Sequence, residues 1–477
     1  MKRIMVCVMA LALAAGCLPF SACSVQKQRN IYKIFAEYAD GELQAAVEFS
    51  FFNDTEEAFD ELKFQLYGNA YREGAQMPPL SAAFASAYYE GKSYGQMEIE
   101  SVSPSAGWEL SGTDGTLLCV RLEEEVYPDE SVTLTIEYTL TLAKVNHRTG
   151  IAERAVNLGN FYPILCAYER GKGFYECDYA QNGDPFYSAC ADYFVQLKAP
   201  AEYVAASSGQ TVSASAEGAS KVSTFELKNA RDFAIVLSKD FEVLQTQAGD
   251  TQIAYYYYSD EEAEKTLRLI ADCIAYFSKE YGAYAYETYS LVQTGFCFGG
   301  MEYPGLTYVS DALSSQDKLY AAAHETAHQW WYAAVGNNQD VDAWMDEGLA
   351  EYACVQFFSA REEYGIDADA RIRAARTAMN ALCNVQTQVF GQADTSMNRP
   401  LREYGAYEYV VLAYDKGLLL FETLEDALGA SAVSAGLKRY YADFSGKTAT
   451  PADLAASFRR AGALSIVQSF VDGTAVL

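Results

Sequence analysis

Histidine and positive charge are both scarce in this chain. Only 3 of its 477 residues are His, and 35 Lys and Arg stand against 64 Asp and Glu. The formal net charge of −29 argues against nucleic acid as a partner, because phosphate contacts need clustered Lys and Arg. The ordinary consequence of the acidity is solubility, and attraction for cationic peptides is a second. None of the 11 cysteines forms a CxxC pair, which argues against a cysteine-based zinc site. Cys166, Cys177 and Cys190 lie close enough in sequence for an exported chain to bridge two of them, or all can be small buried hydrophobes, so no disulfide is assigned. There is no internal repeat and no low-complexity tract. With 50% hydrophobic and 14% aromatic residues the composition is globular, and the length makes two domains the default.

Residues 1–23 read as a targeting leader. Lys2 and Arg3 form its positive end, and the apolar run from Ile4 to Ala15 is short for a membrane span. Ala15-Gly16-Cys17 and Ser21-Ala22-Cys23 both resemble the lipobox of bacterial lipoproteins, so Cys17 or Cys23 is expected to carry a lipid that holds an exported chain to the membrane; plain secretion is the alternative.

From residue 28 to 248 the hydrophobic period is two. Leu43–Phe52, Val132–Leu142 and Tyr193–Lys198 alternate apolar with polar, and Asn53-Asp54, Thr113–Gly115, Tyr127–Asp129 and Ala216–Gly218 supply turns between runs. This predicts an N-terminal antiparallel β domain. The period changes near Ser259, where Ser259 and Glu262 are spaced as a capping box and Leu267, Ile270, Ile274 and Phe277 follow at helical intervals. A boundary at the Gly249 turn is expected, with a mainly helical domain over 249–477 and an α+β class overall. That domain is expected to hold helices over 316–335, 346–358 and 407–424 and strands over 289–294 and 306–309.

Two of the three histidines, His324 and His328, sit four apart, which stacks both imidazoles on one face of a helix. Glu325 lies beside them, completing the HExxH pattern of metalloprotease zinc helices. Glu347 follows 19 residues after His328, and a second helix packed on the first brings its carboxylate to the same ion. Three protein ligands on one Zn2+ leave a fourth position for water, which marks a hydrolytic site. Glu325 is then the general base, and Glu351, one turn past Glu347, can orient a ligand His or be a solvated carboxylate.

These residues, with Gly299-Gly300-Met301-Glu302-Tyr303-Pro304 upstream and Tyr414-Asp415-Lys416-Gly417 downstream, resemble the zinc aminopeptidases of the membrane alanyl aminopeptidase family, within the gluzincins. The resemblance implies a thermolysin-like catalytic domain. It implies that Glu302 binds the substrate α-amino group, that Gly299, Gly300 and Met301 form an edge against the peptide, and that Tyr414 donates to the oxyanion. It also implies an amide or carboxylate from the β domain at the amine site, for which Asn157 and Asn160 are candidates. Tyr303 stands where that family has Asn, and the 60 residues after Gly417 are too few for the helical C-terminal domain of larger members, so a short form with an open cleft is expected. Peptides with a free N-terminus are the expected substrates. An endopeptidase on the same zinc site, or a surface lipoprotein that binds zinc and peptides without turnover, are the alternatives.

Overall fold

A computed structural model describes residues 28–475; the leader, with Cys17 and Cys23, lies outside them. The alternation that predicts strands produces them. Asn30–Ala39 buries every second residue from Tyr32 to Tyr38 and turns the others to solvent. It returns as Glu42–Phe52 through Asp40 and Gly41, both at positive φ, the geometry of a tight hairpin. Seven strands form one sheet in the order Gln210–Glu217, Ser220–Ala230, Ala191–Pro200, Asn30–Ala39, Glu42–Phe52, Ser131–Thr141, Gln96–Ser103. A four-stranded sheet containing Phe59–Gln65 and Leu117–Val126 contributes to the same core, and the edge-on pairs Phe49–Phe64 and Phe51–Phe59, each at 5.3 Å, join the two. The sheet is not wholly antiparallel as expected: Asn30–Ala39 and Ala191–Pro200 pair in parallel, which the long intervening chain permits.

The expected boundary at 248/249 also needs correcting. Glu242–Ala248 and Thr251–Tyr257 form a hairpin around Gly249, and both strands belong to the second sheet. That sheet runs Glu242–Ala248, Thr251–Tyr257, Thr288–Thr294, Leu306–Ser310, Gly300–Met301, so a cut at Gly249 would split the hairpin at its tip. The change of sheet falls between Ser238 and Glu242.

Helices α1 (Ala263–Glu280), α2 (Ser315–Ala327), α3 (Gln339–Asp342), α4 (Trp344–Ala360), α5 (Ala368–Phe390), α6 (Ala406–Tyr409), α7 (Lys416–Leu428), α8 (Ala430–Phe444), α9 (Pro451–Ser457) and α10 (Ala463–Val471) complete the second domain. The expected Ser259–Glu262 capping box does not form. Asp260 does that work, accepting from the Glu262 N–H and the Thr266 hydroxyl, both at 2.9 Å, and pairing with buried Lys318 on α2. α1 and α2 are thereby fastened at one end. The eight cysteines from Cys119 to Cys383 are all free. Among the described residues no helix is long and apolar enough to cross a membrane.

Candidate active site

The first histidine helix, α2, begins at a true cap: the Ser314 hydroxyl accepts from the Asp317 N–H. It ends at Ala327, well before the Val335 expected from its apolar content. The cause lies in the other domain. Buried Arg231 donates to the carbonyls of Tyr332 (2.7 Å), Ser188 (3.0 Å) and Lys447, holding the segment after His328 in a turn where Tyr332 takes a φ of +143°. Because the helix stops, the Trp331 carbonyl is free to accept from His328 Nδ1 at 3.0 Å, which points Nε2 the other way. His324 is oriented similarly, its Nδ1 lying 3.1 Å from Glu351 Oε1.

The three expected ligand atoms converge. His324 Nε2 and His328 Nε2 are 3.0 Å apart, and Glu347 Oε2 lies 3.1 and 3.2 Å from them. Three corners of a tetrahedron with bonds of about 2.0–2.1 Å should be roughly 3.3 Å apart, so two neutral imidazoles and a carboxylate in this arrangement suit Zn2+. A second cluster, Glu302, His328 and Asp346, also lies within ligand reach. It offers one nitrogen, and its carboxylates already accept amide bonds: Gln339 donates to Glu302 (2.9 Å) and Asp346 (2.6 Å), and Asn337 to Asp346 (2.8 Å). The first cluster is the better metal site.

Glu351 is no solvated carboxylate. It is buried, accepts from Tyr320 (2.6 Å) and Arg371 (2.7 Å) and faces His324; despite burial, the Arg371 charge holds its carboxyl down at about 2. Arg371 also binds Asp415 at 2.6 Å, fastening α5 to the segment that carries Tyr414. That segment, Val410–Asp415, is a π turn between α6 and α7, a distortion common at functional sites and invisible to a 3.6-residue period. It places the Tyr414 ring 5.7 Å from the His324 ring and its hydroxyl 2.5 Å from Glu347 Oε1. Close helix contact makes this reach possible: Gly417 on α7 abuts Gly348 on α4 so tightly that a Cβ on either would come within 2.6 Å of the other's Cα.

On the opposite side, Gly300–Met301 is the edge strand of the second sheet. A side chain at Gly300 would overlap the Glu325 carboxylate, so glycine is what lets that carboxylate lie under the edge. Glu325 is buried, and its Oε2 has no partner among the described residues; burial, partly offset by the two histidines, pushes its carboxyl up to about 7. Glu302 is also buried, and burial together with the charge of Asp184 pushes its carboxyl well above the usual range. Gly299, Gly300 and Glu302 line a cleft of about 760 Å3 with His324, Glu325, His328, Glu347 and Tyr414. Met301 does not: its buried sulfur accepts from Arg148 at 3.2 Å, so only its backbone can meet a peptide.

Asn157 and Asn160 are not the β domain's contribution. Asn157 is spent on the His147 and Gly295 carbonyls and Thr294, and Asn160 on Asp232 and Tyr303. Asp184 lines the cleft instead, held by the buried guanidinium of Arg148. The Gly-Pro-aromatic stretch around Asp184 hints at irregular structure, but no local pattern marks the Arg148 partnership.

Comparison with known proteins agrees with this geometry. Residues 261–473 match the Peptidase family M1 domain. The match takes in the two histidines, Glu347 and Tyr414. It is 26% identical over 266 residues to aminopeptidase N of Haemophilus influenzae, a match covering 50% of this chain and 29% of that protein. It is 34% identical over 98 residues to human aminopeptidase B, covering 20% and 15%. The matched region thus spans well under two thirds of either relative. The M1 zinc metallopeptidase from Deinococcus radiodurans superposes with a TM-score of 0.62 at 18% identity, over 94% of this chain and 96% of that one. A two-domain M1 zinc metallopeptidase variant bound to L-arginine gives 0.63 at 17% identity, over 94% and 95%. The chain as a whole has the expected α+β architecture, a β domain followed by a mainly helical domain, and shares that fold with these structures.

Proposed function

We propose that the chain is a zinc-dependent aminopeptidase, holding one Zn2+ between His324, His328 and Glu347 and removing residues from peptides with a free N-terminus. The observation that carries this reading is the meeting of three ligand atoms 3.0–3.2 Å apart in a cleft that is also lined by the buried carboxylate of Glu302. When bound, the ion supplies Lewis-acid polarisation of the scissile carbonyl and acidifies the attacking water. Glu325, whose Oε2 has no partner among the described residues, takes the water proton and returns it to the leaving amine. Tyr414 donates its hydroxyl to the developing oxyanion. Glu302, with Asp184 behind it, pairs with the substrate α-ammonium. The edge at Gly299–Met301 hydrogen-bonds the peptide backbone. The aminopeptidase names of the matched relatives support the same assignment.

Turnover of a panel of aminoacyl amides, compared with N-acetylated peptides and with a chelator present, tests the proposal. Hydrolysis of free-amine substrates only, abolished by chelation, is expected; cleavage of acetylated peptides would establish the endopeptidase alternative. Glu325→Gln should keep the metal and lose nearly all turnover. Export belongs to the same proposal, supported by the leader sequence and the two lipobox-like cysteines; mass spectrometry of the mature N-terminus should find a lipid on Cys17 or Cys23.

A further inference from the structure

We propose that an apolar platform at the mouth of the cleft, formed by Val385, Val389 and Phe390 of α5 with Tyr407 and Val410 of the α6–π segment, binds the downstream residues of a peptide substrate and selects apolar ones. The proposal rests on the peptidase reading and extends it to the part of the substrate that the zinc ligands, Glu302 and Tyr414 do not contact.

The five side chains are 58%, 64%, 75%, 58% and 48% exposed, and Phe390 is the most exposed large hydrophobic residue among those described. Single exposed apolar residues are ordinary, whereas five on two adjoining segments mark a contact surface. Val385 and Val389 are one helical turn apart and share a face. Two hydrogen bonds fix how α5 lies against the α6–π segment. Near its start α5 meets the π turn through Arg371 and Asp415 (2.6 Å), and near its end it meets α6 through Gln386 and Glu408 (3.0 Å). The two segments therefore run antiparallel, and the end of α5 lies beside the outer end of the stretch that leads inward to Tyr414. Continuity with the cleft comes from Ala406, Tyr409 and Val410, which line it together with Tyr414.

Reach decides which part of a substrate arrives there. Along the helix, Val410 is about 6 Å and Tyr407 about 10 Å outward from Tyr414. An extended peptide advances roughly 3.3 Å per residue, so its second and third residues beyond the cut bond come level with the platform. With the amino terminus held at Glu302, the downstream residues of a bound peptide extend away from it. The neighbouring charges do not compete for it: Glu408 is paired with Arg399 at 2.7 Å.

The test uses the full chain loaded with zinc and two peptides that share their first two residues, one continuing Leu-Phe-Leu and the other Ser-Gly-Ser. The wild type should favour the apolar peptide in kcat/KM by about tenfold or more, the gain expected for covering one or two apolar side chains. The Val389→Ser, Phe390→Ser double variant should lose that preference while its turnover of an aminoacyl amide stays unchanged. An unaltered preference in the variant, or none in the wild type, overturns the proposal. So does a concentration-dependent dimer that the double variant disperses, or vesicle binding that it abolishes, since either assigns the patch to another occupant. The same two peptides titrated calorimetrically into the Glu325→Gln protein, with and without the two serine substitutions, read the preference without turnover. If no aminoacyl amide is hydrolysed, the peptidase reading fails alone and the calorimetry still decides the platform.

Discussion

The two walls of the cleft are built on different plans. The metal wall comes from α2, α4 and the π turn, and each ligand has a second partner: Trp331 for His328, Glu351 for His324, Tyr414 for Glu347. The amine wall is assembled across both domains, from Asp184 and its partner Arg148 in the first and Glu302 in the second. Burial pushes Glu302 well above its usual range, and Asp346, which shares the Gln339 amide with it, up to about 7. The first wall is therefore preorganised for a cation, whereas the second holds buried carboxylates with Arg148 as the cation beside Asp184, which fits the proposed ammonium.

The sharpest way to break this contrast is to damage one wall and assay the other. His328→Ala should abolish both bound zinc, by elemental analysis, and turnover. Glu302→Gln should keep the zinc and lower kcat/KM for free-amine substrates by roughly 30–100-fold, the loss of about 2–3 kcal/mol of charge-assisted bonding. If Glu302→Gln also strips the metal, the walls are one unit. A separate effect is expected on folding: Arg148→Met leaves the Asp184 charge buried without its partner, which should destabilise the chain by about 3–5 kcal/mol in urea unfolding. Adding Asp184→Asn should restore most of that loss, because it removes the stranded charge.

The same division separates what the sequence reveals from what it hides. His324, Glu325, His328 and Glu347 are legible because their geometry is local: one helix sets a four-residue spacing, and the second ligand helix follows closely. Arg148 and Asp184 are hidden because sheet topology brings them beside Met301 from far along the chain. The end of α2 is hidden for a related reason, since Trp330 and Trp331 read as continuing an apolar helix while Arg231, from the first domain, claims the carbonyls that follow. The turn at Gly249 is taken for the domain boundary because a hairpin tip and a domain junction use the same turn chemistry; only the pairing of Thr251–Tyr257 with Thr288–Thr294 separates them. The parallel strand pair is hidden as well, because a period of two marks a strand without giving the direction of its neighbour.

Tyr303 offers the finest cut between the walls. It follows Glu302 directly and departs from the residue found there in the resembled family, so a change in the shape of the amine subsite is a natural expectation. Its side chain instead is fully buried and donates to Asn160 Oδ1 at 2.9 Å, which makes it a strut between the domains. Tyr303→Phe removes that one bond and keeps the ring, so a cost of about 1 kcal/mol in unfolding free energy is expected. Across the aminoacyl-amide panel the ranking of N-terminal residues should not change. A reordered ranking at unchanged stability would place the Tyr303 hydroxyl in the subsite, and the amine wall would then owe its selectivity to this departure as well as to its carboxylates.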